Sequence, residues 1–431
     1  MQPTPSTSSS ATAVQAGAID NVVIEALSKY RSLAAFPQPG KFTIFASFIL
    51  SSRTVQSCKV ISLGTGCKCL PATRLPPKGD ALHDCHAEVL ARRGAVRWFL
   101  EEAQRDGNNS MNVSLWISRG KDGLYELRED VDLYVYVSTL PCGDSSTRLL
   151  ASLQDPAMAA LKDSSTWPDL PPGTPSRGRD DYARLGVLRT KPGRADAPTV
   201  LSMSCSDKIA RWSVLGIQGS LASNIFRPIY LSGIIIGEVD EEKRETVRMD
   251  CERAFYDRIK QLDSAILPCG FRLAKPFICF TSLPFIHSQT TLGLTTRASN
   301  DSICWIADSD KPHEVLINGL RRGVPPKHIS NAKFRPLLSK ISLYAVYLST
   351  LEALNLPSPP ESSTYYVVKQ SVVHYQHAKH ALLGPSAPFA GWICSGRRWE
   401  GFDSQGALSD APVSVAEDLT VVAENEAQVV S

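Results

Sequence analysis

Residues 86–88 read His86-Ala87-Glu88 and stand where the sequence predicts the start of a helix that runs to about Leu100. A neutral imidazole ligates zinc at about 2.0–2.1 Å, and a glutamate two residues further on can reach a metal-bound water without becoming a ligand. The pair therefore predicts one residue that binds a metal, His86, and one that moves protons, Glu88. The elements on either side of this helix decide the fold.

Strand-like runs flank the helix. Aromatic and β-branched residues predict strands at 42–51, 59–62, 114–117 and 132–138, with a turn at 64–66. Strand, helix and strand in this order predict an α/β sheet whose site lies at helix N-termini.

A second ligand is predicted where the last of these strands ends, in the sequence Pro141-Cys142-Gly143-Asp144-Ser145. His-x-Glu with a later Pro-Cys-x-x-Cys is the known signature of nucleobase deaminases. Because Ser145 replaces the second cysteine, a third protein ligand must come from elsewhere. Among the 11 cysteines, Cys205 has the most suitable setting, since it precedes a predicted helix and a helix start stabilises a thiolate.

The tetrapeptide Leu-Pro-Cys-Gly occurs at 140–143 and again at 267–270. Only the first copy follows a predicted strand and precedes residues that suit a helix start. We therefore predict that Cys142 is a ligand and that Cys269 is a buried structural cysteine.

The composition is compatible with an enzyme: 431 residues, 43% hydrophobic and 21% charged, with a net charge of +3 that neither demands nor excludes a nucleic-acid partner. Neither a membrane-spanning run nor a secretory or transit signal is visible, so an intracellular protein of the nucleus or cytoplasm is expected. One domain is predicted over 20–403, with a proline-rich insertion at about 154–179. A disordered lead over 1–19 and a disordered acidic tail over 404–431 are expected to flank it.

Four motifs resemble the deaminase domain of the family that converts adenosine to inosine in RNA. They are Asp84-Cys85-His86-Ala87-Glu88, Leu188-Arg189-Thr190-Lys191, Ser204-Cys205-Ser206-Asp207-Lys208-Ile209-Ala210-Arg211-Trp212 and Gly216-Ile217-Gln218-Gly219-Ser220. The resemblance implies an α/β fold with a cytidine-deaminase-like mixed sheet flanked by helices, and a helical C-terminal extension around a buried inositol phosphate. It also implies that Cys205 is the third zinc ligand.

The chain is most similar to the tRNA-specific branch of this family, because no RNA-binding module is expected ahead of the domain. This implies hydrolytic deamination of the adenosine immediately 3′ of the anticodon of alanine tRNA, with the anticodon arm as partner and with no protein or membrane partner. Zinc would activate the attacking water, and Glu88 would pass its proton to the ring and the departing amine. Thr65 matches a family position near the ribose of the flipped nucleotide, and the loop 192–199 is expected to face RNA. Ordinary turn residues are the alternative for both.

A second site is predicted near the C-terminus. On one continuous helix, Tyr365, Lys369, Tyr375 and Lys379 would fall within an arc of about 120°, on the apolar face. An unpaired buried ammonium is costly and few carboxylates stand nearby, so we expect an anion there. Lysines that reach solvent from a surface helix are the alternative.

The resemblance implies that this anion is inositol hexakisphosphate, a structural cofactor. Its binding positions match Arg92, Arg93, Lys208, Arg211, Trp212, Lys340, Tyr365, Lys369, Tyr375, Lys379 and Trp392. Asp84 and Lys191 match a polar relay between this cofactor and zinc. The chain departs from the double-stranded RNA editors at His83 and at Cys394-Ser395, which puts the cofactor's edge contacts in question.

A basic stretch supplies candidate RNA contacts, with a solvated face as the alternative: Arg321, Arg322, Lys327, His328, Lys333 and Arg335. Other functions stay open, namely a double-stranded RNA adenosine deaminase, an inactive RNA-binding relative that keeps zinc as a staple, and a free-nucleoside deaminase. Glu88 argues against the inactive relative, because a structural zinc site needs no carboxylate beside its ligands.

Overall fold

The computed structural model describes residues 8–108, 113–153, 174–178, 181–191, 198, 200–293, 295–329 and 331–409. The predicted insertion at 154–179 and the predicted RNA-facing loop at 192–199 lie almost wholly outside the described residues. Among the described helices, none is both long enough and apolar enough to cross a membrane.

Fourteen strands are present in the described ranges: β1 Lys41–Phe42, β2 Phe45–Ser52, β3 Ser57–Thr65, β4 Cys67–Cys69, β5 Asp84–His86, β6 Ile117–Arg119, β7 Tyr125–Leu127, β8 Val131–Val137, β9 Gly233–Ile236, β10 Phe277–Phe280, β11 Arg297–Ala298, β12 Asp301–Ile306, β13 His313–Ile317 and β14 Leu320–Arg321. The α-helices are α1 Ser8–Arg31, α2 Ala87–Asn108, α3 Thr147–Ser152, α4 Cys205–Leu215, α5 Gly219–Ala222, α6 Arg244–Glu252, α7 Gln289–Leu292, α8 Lys340–Ala353, α9 Tyr365–Gln370 and α10 Val373–Leu383. A π-helical turn, Arg253–Asp257, continues α6.

Eight of these strands form one mixed sheet in the order β10-β9-β8-β2-β3-β12-β13-β14. The strands β10, β9 and β8 run parallel, whereas each later neighbour in the order is antiparallel. Helices pack on both faces of the sheet, which confirms the predicted mixed α/β architecture.

The alternation of side chains along β2 explains why both faces carry helices. Phe45 and Ile49 point to one face, where they join a core with Val23, Leu27 and Tyr30 of α1. The alternate residues of the strand, Ala46, Phe48 and Leu50, point to the other face and join the larger core around α2. Because both faces of the strand are apolar, the sheet needs a cover on each side.

Helix α2 lies unusually close to β3. A Cβ atom added at Gly64 would stand 2.7 Å from the Ala87 carbonyl oxygen and 2.8 Å from the Ala91 nitrogen. The Ala87 backbone N–H in turn donates to the Gly66 carbonyl oxygen at 3.0 Å. The glycines beside the helix start therefore set where His86 and Glu88 stand.

Several boundaries differ from the sequence-based prediction. Helix α1 begins at Ser8, inside the predicted disordered lead, because its apolar residues pack on the sheet and the alanine-rich start continues the helix. Ordered contacts also continue past 404, since Phe402 bridges to Leu408. The predicted turn at 64–66 is wrong, since β3 continues to Thr65 and pairs with β12 and β2.

Candidate functional site

His86 closes β5, immediately before α2 begins. Its side chain is 4% exposed, and its Nδ1 donates to Asp84 Oδ1 at 2.9 Å. The His86 backbone N–H donates to the same oxygen at 3.0 Å. Because a carboxylate fixes the Nδ1–H tautomer, the other ring nitrogen is left free to bind a metal.

The two predicted cysteines lie next to each other, and one of them lies beside this imidazole. Cys142 follows β8, and Cys205 is the first residue of α4. The Cys205 backbone N–H donates to Cys142 Sγ at 3.4 Å, and His86 is within hydrogen-bond reach of Cys142. Cys142 therefore lies next to both His86 and Cys205, and a donor set of two sulfurs and one imidazole nitrogen suits zinc with one position left open.

Glu88 lies in the first turn of α2, beside these three residues. It is 2% exposed, and within the described part of the chain its Oε2 has no hydrogen-bond partner. Burial raises the pKa of its carboxyl group, whereas the nearby Lys191 ammonium lowers it. A buried carboxyl with an unused oxygen is suited to exchange a proton with a bound water.

Another group of possible donors, Cys69, Asp84 and His86, has its ligand atoms within 4.8 Å of one another. The imidazole nitrogen of that group is the Nδ1 atom, which already donates to Asp84. Asp84 is also ion-paired with Lys191 and Lys208, at 3.5 and 2.5 Å. We therefore assign Asp84 to the orientation of His86 and not to metal binding.

Lys191 connects the sulfurs to this carboxylate. Its Nζ lies 2.6 Å from Cys205 Sγ and 3.6 Å from Cys142 Sγ. Although burial opposes the charge, Asp84 and the two sulfurs hold the pKa of Lys191 well above its usual value. The predicted relay residues, Asp84 and Lys191, are thus brought together by the fold.

A cavity of about 610 Å³ lies beyond Asp84, and all of the predicted anion-binding residues line it. Its walls carry two carboxylates, Asp84 and Glu400. They also carry seven cationic side chains: Arg92, Arg93, Lys208, Arg211, Lys340, Lys369 and Lys379. The excess of positive charge in a ligand-sized cavity favours an anion.

The cations have partners to different degrees. Glu400 accepts from Lys340 at 3.0 Å and from Lys369 at 2.5 Å, and Arg211 donates to Tyr375. By contrast, Lys379 forms no ion pair in the described ranges. Arg93 donates to a backbone carbonyl through Nε, while its Nη2 is buried without a partner among the described residues.

Burial shifts the pKa values of these groups. It lowers the pKa of Lys340 to about 8 and that of Arg92 to about 10. Burial acts to raise the pKa of Glu400, but Lys340 and Lys369 overcome this and lower it to about 2. His83 at the same wall has its pKa lowered to about 3, chiefly by burial, so its imidazole is neutral at pH 7.

Two parts of the prediction for this cavity are corrected by the structure. The chain from Tyr365 to Leu383 is not one helix, because it breaks between α9 and α10. The expectation that carboxylates are scarce overlooked Glu400, which lies 31 residues beyond Lys369 in sequence. No local pattern pointed to Glu400, since its role depends on the tertiary fold.

Other predicted residues lie elsewhere. Thr65 is 1% exposed, and its Oγ1 accepts from the Ile303 backbone N–H at 3.0 Å, so its side chain is buried at the pairing of β3 with β12. Cys269 is exposed, and the prediction that it is buried is wrong. The strand and helix signals that distinguished Cys142 from it were correct.

The basic stretch is only partly available to a partner. Arg321 and Arg322 are paired with Glu314 and Asp301 at 3.0 and 2.9 Å, while Arg335 donates to the Gln405 carbonyl oxygen. The two lysines of the stretch, Lys327 and Lys333, are exposed.

The comparisons agree with this geometry. Residues 62–395 match the profile of the adenosine-deaminase (editase) domain family. A protein named tRNA-specific adenosine deaminase 1 from Drosophila melanogaster is 32% identical over 337 residues, which cover 76% of this chain and 80% of that protein. Its namesake from Schizosaccharomyces pombe is 30% identical over 328 residues, covering 72% and 81%. A mouse protein named double-stranded RNA-specific adenosine deaminase is 30% identical over 244 residues, which cover 50% of this chain and 19% of that protein.

Proposed function

This chain belongs to the adenosine-deaminase (editase) domain family, a family of hydrolytic deaminases, and from that premise we propose that it converts adenosine to inosine in tRNA. The similarity to tRNA-specific relatives over most of both chains supports tRNA as the substrate. Our finer proposal is that the target is the adenosine immediately 3′ of the anticodon of alanine tRNA.

We further propose that His86, Cys142 and Cys205 hold a Zn²⁺ ion, and that Glu88 is the catalytic residue. The observation that carries this proposal is the contact of Cys142 with both His86 and Cys205, beside a Glu88 Oε2 that has no partner among the described residues. When bound there, zinc would supply an activated water.

Residues of the chain then carry out the proton transfers and orient the proposed ligand His86. Glu88 takes a proton from the attacking water and delivers it to the ring nitrogen, which makes carbon 6 of adenine electrophilic. Once oxygen has added to carbon 6, Glu88 takes the proton of the new hydroxyl group and gives it to the exocyclic nitrogen, so that the carbon–nitrogen bond breaks, ammonia leaves and a carbonyl remains at carbon 6. Asp84 keeps the His86 imidazole in one tautomer and orientation.

The target adenine must leave its stack to reach so buried a site. We propose that the exposed Lys327 and Lys333 contact phosphates of the tRNA, because neither forms an ion pair among the described residues. The loop 192–199 remains a proposed RNA contact.

The reaction is tested by offering alanine tRNA transcript and a perfect RNA duplex side by side to the purified protein. Inosine is expected in the tRNA alone, and a transcript with guanosine at the target position should remain unmodified. Glu88→Gln should abolish inosine formation, whereas Glu101→Gln, on the same helix but paired with Arg97, should not. Inosine in the duplex would assign the protein to double-stranded RNA editing, and inosine in neither RNA would contradict the proposed activity.

We also propose that the cationic cavity binds inositol hexakisphosphate. The unpartnered Arg93 Nη2 and Lys379 support a polyanion, and the cavity volume of about 610 Å³ suits one. His83 at the same wall is neutral at pH 7, and its Nε2 is buried and has no partner among the described residues.

The two exposed cysteines give this second proposal a direct test. Cys394 lines the cavity, whereas Cys269 lies outside it, and both thiols are exposed. Inositol hexakisphosphate should slow alkylation of Cys394 and leave Cys269 unchanged, as measured by peptide mass spectrometry. Equal rates with and without the ligand, together with no inositol phosphate in extracts of the denatured protein, would contradict the proposal.

A further inference from the structure

Each cysteine of the metal centre is followed, two residues later, by a buried aspartate. The pairs are Cys142 with Asp144 and Cys205 with Asp207, and both carboxylates are 0% exposed. The two Cys-x-Asp segments also contact each other directly, since the Ser206 backbone N–H donates to the Cys142 carbonyl oxygen at 2.9 Å. An ionised carboxylate at such depth requires a partner.

Both aspartates find that partner in one short segment of the chain. Arg253 Nε lies 3.1 Å from Asp144 Oδ2, and its Nη2 donates to the Asp144 carbonyl oxygen at 3.1 Å. Arg258 Nη1 lies 2.7 Å from Asp207 Oδ1 and also donates to the Val187 carbonyl oxygen at 2.9 Å. Each guanidinium therefore joins a carboxylate to a backbone carbonyl, as a planar fork can.

Arg253 begins the π-helical turn, and Arg258 is the residue that follows its end. The Arg258 backbone N–H donates to the Arg253 carbonyl oxygen at 3.4 Å, five residues back. In an α-helix, residues five apart point about 140° away from each other. A π-helical hydrogen bond joins residues five apart, so it brings them onto one side of the segment. The irregular turn thus lets one segment bind both Cys-x-Asp segments.

We propose that this π-helical turn is a clamp that sets the spacing of the two cysteine sulfurs, and that Arg253 and Arg258 are positioning residues of the metal centre. The clamp rests on the proposed zinc site. Neither arginine contacts the sulfurs, so each acts through the aspartate that it binds and the Cys-x-Asp segment to which that aspartate belongs. Partners outside the ligand set affect metal affinity by about 10–100-fold when they are altered.

The test uses Arg253→Lys and Arg258→Lys, which keep the charge and lose the fork, so the buried aspartates remain compensated. Arg248→Lys is the matched control, because Arg248 lies on α6 and donates to the Ile278 carbonyl oxygen instead of to either Cys-x-Asp segment. Zinc release is followed with a chromogenic chelator, and the metal-free protein is loaded with Co²⁺ to record its thiolate absorption. We expect zinc release about ten times faster and an altered Co²⁺ spectrum in both variants, with the control unchanged.

The double variant, which combines Arg253→Lys with Arg258→Lys, distinguishes a clamp from two arginines that act independently. A clamp works only when both ends hold, so the second substitution should add little to the release rate of the first. Release rates that multiply, or variants that lose thermal stability but keep wild-type zinc release and Co²⁺ spectrum, would overturn the clamp. Wild-type protein without thiolate absorption from Co²⁺ would instead overturn the metal centre, and the clamp with it.

Discussion

Lys340 is held in the cationic cavity at a cost in free energy. Its side chain is 12% exposed, and partial burial together with Lys369 and Arg93 lowers its pKa to about 8, although Glu400 opposes the shift. A lysine whose pKa is lower in the folded than in the unfolded protein destabilises the fold wherever it is charged. A bound polyanion would remove that penalty by favouring the charged form.

The pH dependence of unfolding follows from this shift. In protein freed of bound anions, the folded state loses the Lys340 proton near pH 8 and the unfolded state near 10.5, so stability should rise between these values. The whole rise is about 3 kcal/mol, of which about 2 kcal/mol falls between pH 8 and pH 10. Urea unfolding at pH 8 and pH 10 measures it, and both Lys340→Met and saturation with inositol hexakisphosphate should remove it. An equal rise in Lys340→Met would show that other groups cause it.

Single residues differ in how far the sequence could predict them. His86 and Glu88 were predictable because their chemistry depends on a spacing of two residues, which the start of a helix preserves. Glu400 was not, because its partners Lys340 and Lys369 are brought to it only by tertiary packing. Cys269 shows the same limit, since its local sequence matches that of Cys142 while its surroundings do not.

At the scale of elements, the contact between α2 and β3 fixes the position of Glu88. The backbone of β3 at Gly64 touches the first turns of α2, and only a glycine permits that distance. A methyl group there would push α2 outward and move Glu88 with it.

Gly64→Ala should therefore lower activity by more than stability alone explains. Overpacking of this kind costs about 1–3 kcal/mol, and we expect kcat on tRNA to fall at least about ten-fold, since small displacements of catalytic groups are costly. Gly17→Ala is the control, because a Cβ there meets nothing within 4 Å and favours the helix. Thermal unfolding and initial rates of inosine formation measure both effects, and an unchanged kcat in Gly64→Ala would show that the contact does not position Glu88.

The break between α9 and α10 shows why helical periodicity alone misled the prediction. Ser371 Oγ donates to the Val368 carbonyl oxygen at 2.9 Å, which competes with the backbone bonds of a continuing helix. Neither Ser371 nor Val372 is a strong helix breaker, so the sequence carried no clear signal. The predicted residues still meet in the cavity because both short helices pack beside it.

In the whole molecule, the central sheet separates two cores with different tasks. The core around α2 lies on the face of the sheet next to the proposed metal centre, and the core around α1 covers the opposite face. The order of strands and helix was predictable from periodicity, but the packing of α1 on the sheet was not. The sequence of a helix shows that it has an apolar face but not which surface that face packs against.

Truncation at the N-terminus tests this role. Removing residues 1–16 should leave the melting temperature nearly unchanged, because Asp20 and the apolar face of α1 remain in contact with the sheet. Removing residues 1–31 exposes the partners of Val23, Leu27 and Tyr30, each worth about 1.5–3 kcal/mol. Since that sum rivals the stability of an ordinary domain, we expect aggregation, measured as loss of soluble protein. A soluble, folded 32–431 protein would show that α1 is dispensable.

Asp84 faces two directions at once, toward His86 at 2.9 Å and toward Lys208 at 2.5 Å. A ligand that restrains this carboxylate on the side of Lys208 therefore also restrains it on the side of His86. Thermodynamic reciprocity then requires that, if a polyanion in the cavity raises the affinity for metal by some factor, the metal raises the affinity for the polyanion by the same factor. A chelator used in purification would, for that reason, loosen a ligand that it never touches.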